Sequence, residues 1–197
     1  MAGVAEIVPG LRRWSASHEE WNEEVGSVAV ATADGLVLID PIAPPAALER
    51  PAHVLLTVYW HGRAAGGLGA ARVWAPRRSA GPLRTREISV TDPFRAGDAL
   101  PGGIQAFQTP RVSEVAYWLP EHRALVVGDV LLGAGAKPNA TADVLRLCPE
   151  RWLGAGTHDD LRAMLRPLLD LPLERILVSH GDPVLTGGRQ ALADVLG

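Results

Sequence analysis

A chain of 197 residues, 47% hydrophobic and 21% charged, has the size and composition of one globular domain over residues 1–197, with a core that needs neither disulfide nor structural metal. A net charge of −3 offers no basic field to a phosphate backbone, and no apolar run approaches the roughly 20 residues that span a bilayer, so nucleic acid and membrane are excluded as partners. The N-terminal stretch meets its first arginine at Arg12 and has no basic region followed by an apolar one, so it does not read as a signal peptide and a cytoplasmic location is expected. Lys137 is the only lysine, while alanine and arginine abound, as in proteins of GC-rich bacterial genomes. The single cysteine, Cys148, sits in a Leu-Cys-Pro setting without an adjacent base and reads as a small buried hydrophobe.

In chain order, residues 27–31 and 36–39 are β-rich runs about the turn Ala33-Asp34-Gly35, which predicts a hairpin. A short helix is expected over 44–50, a buried strand over 53–58, a glycine-weakened helix over 63–71 and a strand over 72–74. Short strands separated by turns follow at 88–90, 104–107, 115–119 and 124–127. Thr157 opens a helix with Asp159 and Asp160 in its first turn, running to Leu171-Pro172; a strand at 174–178 and a helix at 187–196 close the chain. Two mixed strand blocks, each followed by helices, predict an α/β (α+β) fold of two packed sheets with helices outside.

Polar residues just past apolar strands are where such sheets build sites. Three places qualify: Tyr59-Trp60-His61-Gly62-Arg63 after HVLLTV, Gly128-Asp129 after RALVV, and Ser179-His180-Gly181-Asp182 after RILV. His53, His122 and His158 read as solvated or capping residues, Asp182 as a turn residue, and Asp40 as an orienting group at a strand end. His18 lies in an expected N-terminal loop that could fold over a pocket. Trp14, Trp21, Trp74 and Trp152 are expected in the core, whereas Trp60 and Trp118 flank the pocket in sequence and Trp60 is expected to line it. Gly66-Gly67 lacks the Lys-Ser or Lys-Thr of a phosphate-binding loop, and no Gly-x-Ser-x-Gly elbow supports a serine triad, although Ser179 adjoins His180.

In this order the segments Leu36-Val37-Leu38-Ile39-Asp40, LLTVYWHGRAAGGL, Thr109-Pro110, Ala124 to Val130 and His180-Gly181 resemble the metallo-β-lactamase superfamily over nearly the whole chain. The resemblance implies a four-layer αββα sandwich with one or two metals at the rim between the sheets. It also exposes departures from the family's HxHxDH motif. Anchored on Gly66-Gly67-Leu68, the first ligand histidine falls on Tyr59, the second on His61, the aspartate on Arg63 and the third histidine on Ala64. Anchored on Thr57, no ligand remains. The family's middle histidine is also absent, where Thr109-Pro110 runs into Arg111.

The implied pocket is therefore Tyr59, Trp60, His61, Arg63, Asp129 and His180, with His61, Asp129 and His180 as the ligands if a single metal binds. Two expectations stand side by side. In the first the site carries no metal, Arg63 pairs with Asp129 as resident cation, and the protein is a non-catalytic descendant binding a small anion. In the alternative, three protein ligands hold one zinc, iron or manganese ion, and the protein is a mononuclear hydrolase of an ester, thioester or amide. A dinuclear site is excluded by ligand count, and oligomeric state is not set by these patterns.

Overall fold

The turn Ala33-Asp34-Gly35 closes the predicted hairpin: Gly35, at φ 103°, joins β3 (Glu23–Thr32) to β4 (Gly35–Ile39) in antiparallel register, and a Cβ there would meet Ala52 at 2.8 Å. The computed structural model describes residues 4–69, 71–137, 141 and 143–197. Before the hairpin come β1 (Ala5–Val8) and β2 (Leu11–His18), both antiparallel to their neighbours; after it come β5 (His53–Leu55), β6 (Arg72–Pro76) and β7 (Asp92–Phe94), each parallel to the strand before it. These seven form one sheet in chain order, with the short helix α1 (Ala80–Arg84) between β6 and β7.

The second sheet has the order β13 (Arg175–Val178), β10 (Ala124–Val127), β9 (Val115–Leu119), β8 (Gln105–Gln108), with β10 and β13 parallel. A two-stranded sheet, β11 (Leu131–Gly133) and β12 (Leu145–Leu147), and the helices α2 (His158–Leu165) and α3 (Gly188–Leu196) complete the described elements.

Strand periodicity assigns the layers. In β9, Val115, Tyr117 and Leu119 point to the first sheet, where they pack with Val28, Val37, Ile39 and Leu55, while Ala116 and Trp118 point to α2 and α3. Likewise Ala124 and Val126 of β10 face inward, and Leu125 and Val127 face the helices. Because side chains alternate with period two, slipping either strand by one residue would exchange these two sets, so the register is fixed by burial on both faces. On the outer side of the first sheet, Val54 and Val73 pack with Leu83 of α1 and Ile88. Helix, sheet, sheet and helix make the four layers that the resemblance implies.

Several expected elements differ. Residues 44–50 form turns, because Pro44, Pro45 and Pro51 leave too few N–H groups for a helical ladder. Of the helix expected over 63–71 the described residues form only the 3₁₀ turn Ala65–Gly67, separated from an earlier 3₁₀ turn, Tyr59–Gly62, by Arg63, whose backbone takes φ 32° and ψ −105°; residue 70 lies outside the described residues. The strand expected at 88–90 is instead β7; Ile88 is buried against α1 outside any strand. Thr157 caps α2 with a reciprocal capping box to Asp160, but the α-helix ends at Leu165, and Pro167 leads into a 3₁₀ turn, Arg166–Asp170. β1 and β2 lie outside the expected elements, and His18 ends β2 rather than lying in a loop. No described helix is long and apolar enough to cross a membrane.

Candidate metal centre

Both sheets deliver the ends of their strands to one rim. Asp40 follows β4, Thr57 and His61 follow β5, Asp129 follows β10, and His180 follows β13. Backbone bonds from Gly26 N to the Ser179 carbonyl (2.7 Å) and from Val115 N to the Thr57 carbonyl (3.0 Å) lock the sheets together there.

His61 is fully buried. Its Nδ1 lies 2.8 Å from Asp40 Oδ2 and 3.2 Å from Thr57 Oγ1. Asp40 also accepts from Thr57 through both the backbone N–H, at 2.8 Å, and the hydroxyl, so the imidazole is held by a carboxylate that is itself fixed. The opposite nitrogen, Nε2, stands 3.1 Å from Asp129 Oδ1 but out of line for a hydrogen bond, a buried polar atom without a hydrogen-bond partner. Such an atom is costly unless something else binds it.

His180 repeats the arrangement from the other sheet. Its Nδ1 is 3.2 Å from Glu23 Oε2 and its Nε2 is 3.1 Å from Asp129 Oδ1. Glu23 is steadied by the Lys137 N–H, which donates to Oε1 at 2.9 Å. Asp129 is fixed from two more directions: the Trp60 indole N–H donates to Oδ2 at 2.7 Å, and its own N–H donates to Glu114 Oε1 at 2.8 Å. Ligand atoms of His61, Asp129 and His180 all lie within 4.8 Å of one another.

The charges are strongly interdependent. Burial lowers the proton affinity of His61, as does the Arg63 cation, but Asp129 and Asp40 outweigh both and leave its pKa raised. Burial likewise opposes protonation of His180, yet hydrogen bonds to Asp129 and Glu23 push it up to about 9. Asp129 is held well below the usual carboxylate range, its own burial overcome by the two imidazoles. Glu114 is pushed up to about 7, first by burial and then by the charge of Asp129.

Tyr59, Trp60, Asp129 and His180 line a cavity of about 710 Å³, together with Trp21, Glu23, Arg111, Lys137, Arg151 and Trp152. His61 and Arg63 are not on its wall; Trp21 covers them, with the Arg63 guanidinium carbon 5.5 Å from one of its ring centroids and the His61 ring 6.2 Å away. The expected pairing of Arg63 with Asp129 is replaced by a different contact: Nη1 donates to the backbone carbonyl of Asp40 at 3.4 Å, because the kinked backbone turns the side chain under Trp21. Desolvation lowers the Arg63 pKa, while Asp40 and Asp129 partly offset the loss.

Trp21 departs from the expected core placement and faces the cavity, whereas Trp152 packs against the core beneath the helices as expected and also lines the cavity. Trp14 and Trp74 satisfy their indole N–H groups on the Ile42 carbonyl and on His53, and the His158 ring donates from Nε2 to the Cys148 carbonyl at 2.7 Å. Burial pushes the Cys148 thiol up to about 12, which leaves it unreactive.

Glu23, Glu114 and Arg111 are contributors that the sequence reading does not single out as site residues. Arg111 and Glu114 leave a trace, since both belong to the stretch Thr109 to Glu114 that stands where the resemblance expects a histidine.

Two imidazole nitrogens and one carboxylate oxygen, each held by an outer partner, are a chemically sufficient donor set for one zinc, iron or manganese ion. The orphaned Nε2 of His61 is the atom that such an ion would satisfy.

No protein-family model matches the sequence, and no curated protein matches it. Solved structures do. A metallo-beta-lactamase from Pontibacter korlensis superposes with a TM-score of 0.68 at 15% identity, covering 100% of this chain and 99% of that one. A metallo-beta-lactamase from Hirschia baltica gives 0.69 at 11% identity over 99% and 96%. A metallo-beta-lactamase family protein from Thermus thermophilus gives 0.64 at 20% identity over 97% and 79%. The likeness extends over nearly the whole length of these structures, and this chain has the metallo-β-lactamase fold.

Proposed function

We propose that the protein is a mononuclear metal-dependent hydrolase of a small ester, thioester or amide, with His61, Asp129 and His180 as its metal ligands. One observation carries the reading: both imidazoles are anchored through Nδ1 on carboxylates, Asp40 and Glu23, so that both Nε2 atoms converge on the same oxygen of Asp129. An anchored Nδ1–H fixes the tautomer whose Nε2 carries a free lone pair.

When bound, a divalent ion here would supply Lewis acidity and an acidified water. The chain's own residues do the rest. Asp40 and Glu23 orient the two rings, Trp60 and Glu114 fix Asp129, and Trp21 covers the histidines from solvent on the cavity side. Arg63 puts a permanent positive charge beside Asp40 and Asp129. The charge count suits this arrangement. Asp40, Asp129 and Glu23 carry three negative charges, balanced by Arg63 and one dication with both imidazoles neutral.

A second reading, a metal-free protein that binds a small anion, is favoured by the proton affinity of the imidazoles. His180, pushed up to about 9, keeps its proton at neutral pH and places a positive charge against Asp129 and Glu23 without a metal, and the pKa of His61 is raised as well. Elemental analysis of protein purified without added metal separates the two. The hydrolase reading expects roughly one equivalent of zinc, iron or manganese, or a rise in melting temperature when one is added, because binding to the native state alone stabilises it. Less than about 0.1 equivalent together with an unmoved melting temperature would leave the metal-free binder.

A further inference from the structure

We propose that Arg111 selects the substrate of this site, holding a carboxylate or phosphate on a substrate arm that lies against Trp60; the inference rests on the hydrolase reading for the word substrate, but its binding test does not.

Arg111 is built into the cavity wall more firmly than a surface cation would be. Its side chain is 21% exposed, its Nε lies 3.6 Å from Glu114 Oε2, and its guanidinium carbon lies 4.4 Å from the Trp60 ring centroid. The two residues that clamp it are the two that fix Asp129, Trp60 through Oδ2 and Glu114 through the backbone N–H. The guanidinium is thereby positioned relative to Asp129 by rigid groups on both sides, which limits the entropy lost when it captures a ligand.

Nε of Arg111 is buried beside Glu114 without a hydrogen-bond partner, no hydrogen bond from its Nη atoms is found among the described residues, and the residue lines the same cavity as Asp129. A planar fork with unused donors matches the two oxygens of a carboxylate or phosphate. Two other cations line the wall, Lys137, whose ammonium donates to the Asn22 carbonyl at 2.6 Å, and the exposed Arg151 of the turn Glu150–Leu153, so an Arg151 variant is needed to assign the anion to Arg111. Trp60 and Trp152 supply flat apolar surface beside the cationic edge. The chemistry recognised is thus an acyl compound bearing an anionic group next to a planar apolar one.

The alternative role for Arg111 is that of a counter-ion to the buried Glu114, and lysine separates the two. Lysine keeps the charge beside Glu114 but lacks the fork. The test is calorimetric titration of the full-length protein, both chelator-treated and zinc-supplemented, with phenylacetate, phenyl phosphate and the neutral phenylacetamide. The chelator-treated protein is expected to bind one or both anions at least about tenfold more tightly than the amide, as a charge-assisted bidentate pair would give. Arg111→Met is expected to erase that preference and Arg111→Lys to keep only part of it, while Arg151→Met retains it. Whichever anion binds more tightly identifies the group recognised.

Equal binding of anion and amide by the chelator-treated protein would overturn the proposal. So would a preference that survives Arg111→Met, or, should that variant fail to fold, one that Arg111→Lys keeps in full. A protein that takes up no metal yet shows an Arg111-dependent preference would refute the hydrolase reading and sustain this one. Anion binding that needs zinc and ignores Arg111 would do the reverse.

Discussion

The Trp60 indole donates to Oδ2 of Asp129 at 2.7 Å, and this leaves Oδ1 as the single oxygen that both His61 and His180 approach at 3.1 Å. The indole therefore does more than wall the cavity: it decides which oxygen faces the imidazoles. Phenylalanine at this position keeps most of the aromatic surface and removes the donor. Trp60→Phe is expected to lower metal affinity by about 10- to 100-fold, the usual effect of losing an outer partner of a ligand. It should also destabilise the metal-free protein by ~1–3 kcal/mol, the cost of an unsatisfied buried acceptor. Metal titration against a competing chelator and urea denaturation check the two effects; an unchanged metal affinity would reduce Trp60 to packing.

Asp40 offers a sharper test because it governs a proton rather than a position. Its Oδ1 accepts from Thr57 N, and its Oδ2 accepts from the Thr57 hydroxyl and from His61 Nδ1. An asparagine in its place, with the amide oxygen kept toward Thr57 N, would point an N–H₂ group at His61 and favour the tautomer protonated on Nε2. Asp40→Asn is then expected to weaken metal binding by about 10- to 100-fold or more with little change in fold, since the ligating lone pair is lost rather than displaced. Nitrogen-15 chemical shifts of the His61 ring read the tautomer directly. A ring that stays protonated on Nδ1 in the variant contradicts the orienting role.

The legibility of this site follows the physics of each residue. His61, Asp129 and His180 can be read from the sequence because each lies two or three residues past an apolar run, in the loops where such sheets place polar site residues. Glu23 and Trp21 cannot, because they belong to the β2–β3 hairpin. β2 runs Leu11–His18 with most of its positions half-buried, so its sequence lacks clean alternation and the strand escapes notice. Without β2, the pairing of His18 with Glu23 that brings Trp21 over the site cannot be inferred. Glu114 is hidden for another reason. A glutamate in the turn before a strand is ordinarily solvated, and its burial comes from the distant Asp129 backbone that it accepts from. Arg63 misleads through its charge: complementarity to Asp129 is sound, but its backbone at φ 32° turns the guanidinium to the Asp40 carbonyl instead.

Gly128 tests how tightly the rim is built. A Cβ there would stand 2.6 Å from Thr57 Oγ1 and 3.0 Å from Glu114 Oε1, two atoms that hold His61 and Asp129 in place. Neither is the loose end of a surface chain. Gly128→Ala is expected to cost ~1–3 kcal/mol in stability through overpacking and to weaken metal binding at the same time. Gly67→Ala, where the new methyl would meet nothing within 4 Å, serves as the control and should change stability by no more than about 0.5 kcal/mol. Equal effects of the two substitutions in thermal and chemical denaturation would contradict a close-packed rim.

The pH dependence of stability separates the metal-free from the metal-bound protein by its sign. In the metal-free chain His180 is raised from its ordinary 6.5 to about 9, and His61 is raised as well. A folded-state pKa above the unfolded one means that the native state binds the proton more tightly. The stabilisation is fully present below pH 6.5 and is lost as pH rises through about 9. Asp129, held below its ordinary 3.8, acts in the opposite direction and withdraws its contribution as acid approaches its depressed pKa. The chelator-treated protein should therefore lose melting temperature between pH 6.5 and 9, and His180→Gln should flatten that decline. Metal ligation requires unprotonated imidazoles, so the increment in melting temperature on adding zinc should grow over the same interval. A zinc increment that shrinks as pH rises, or a His180→Gln variant with the parent's slope, would show that these imidazoles neither hold protons in the free protein nor yield them to a metal.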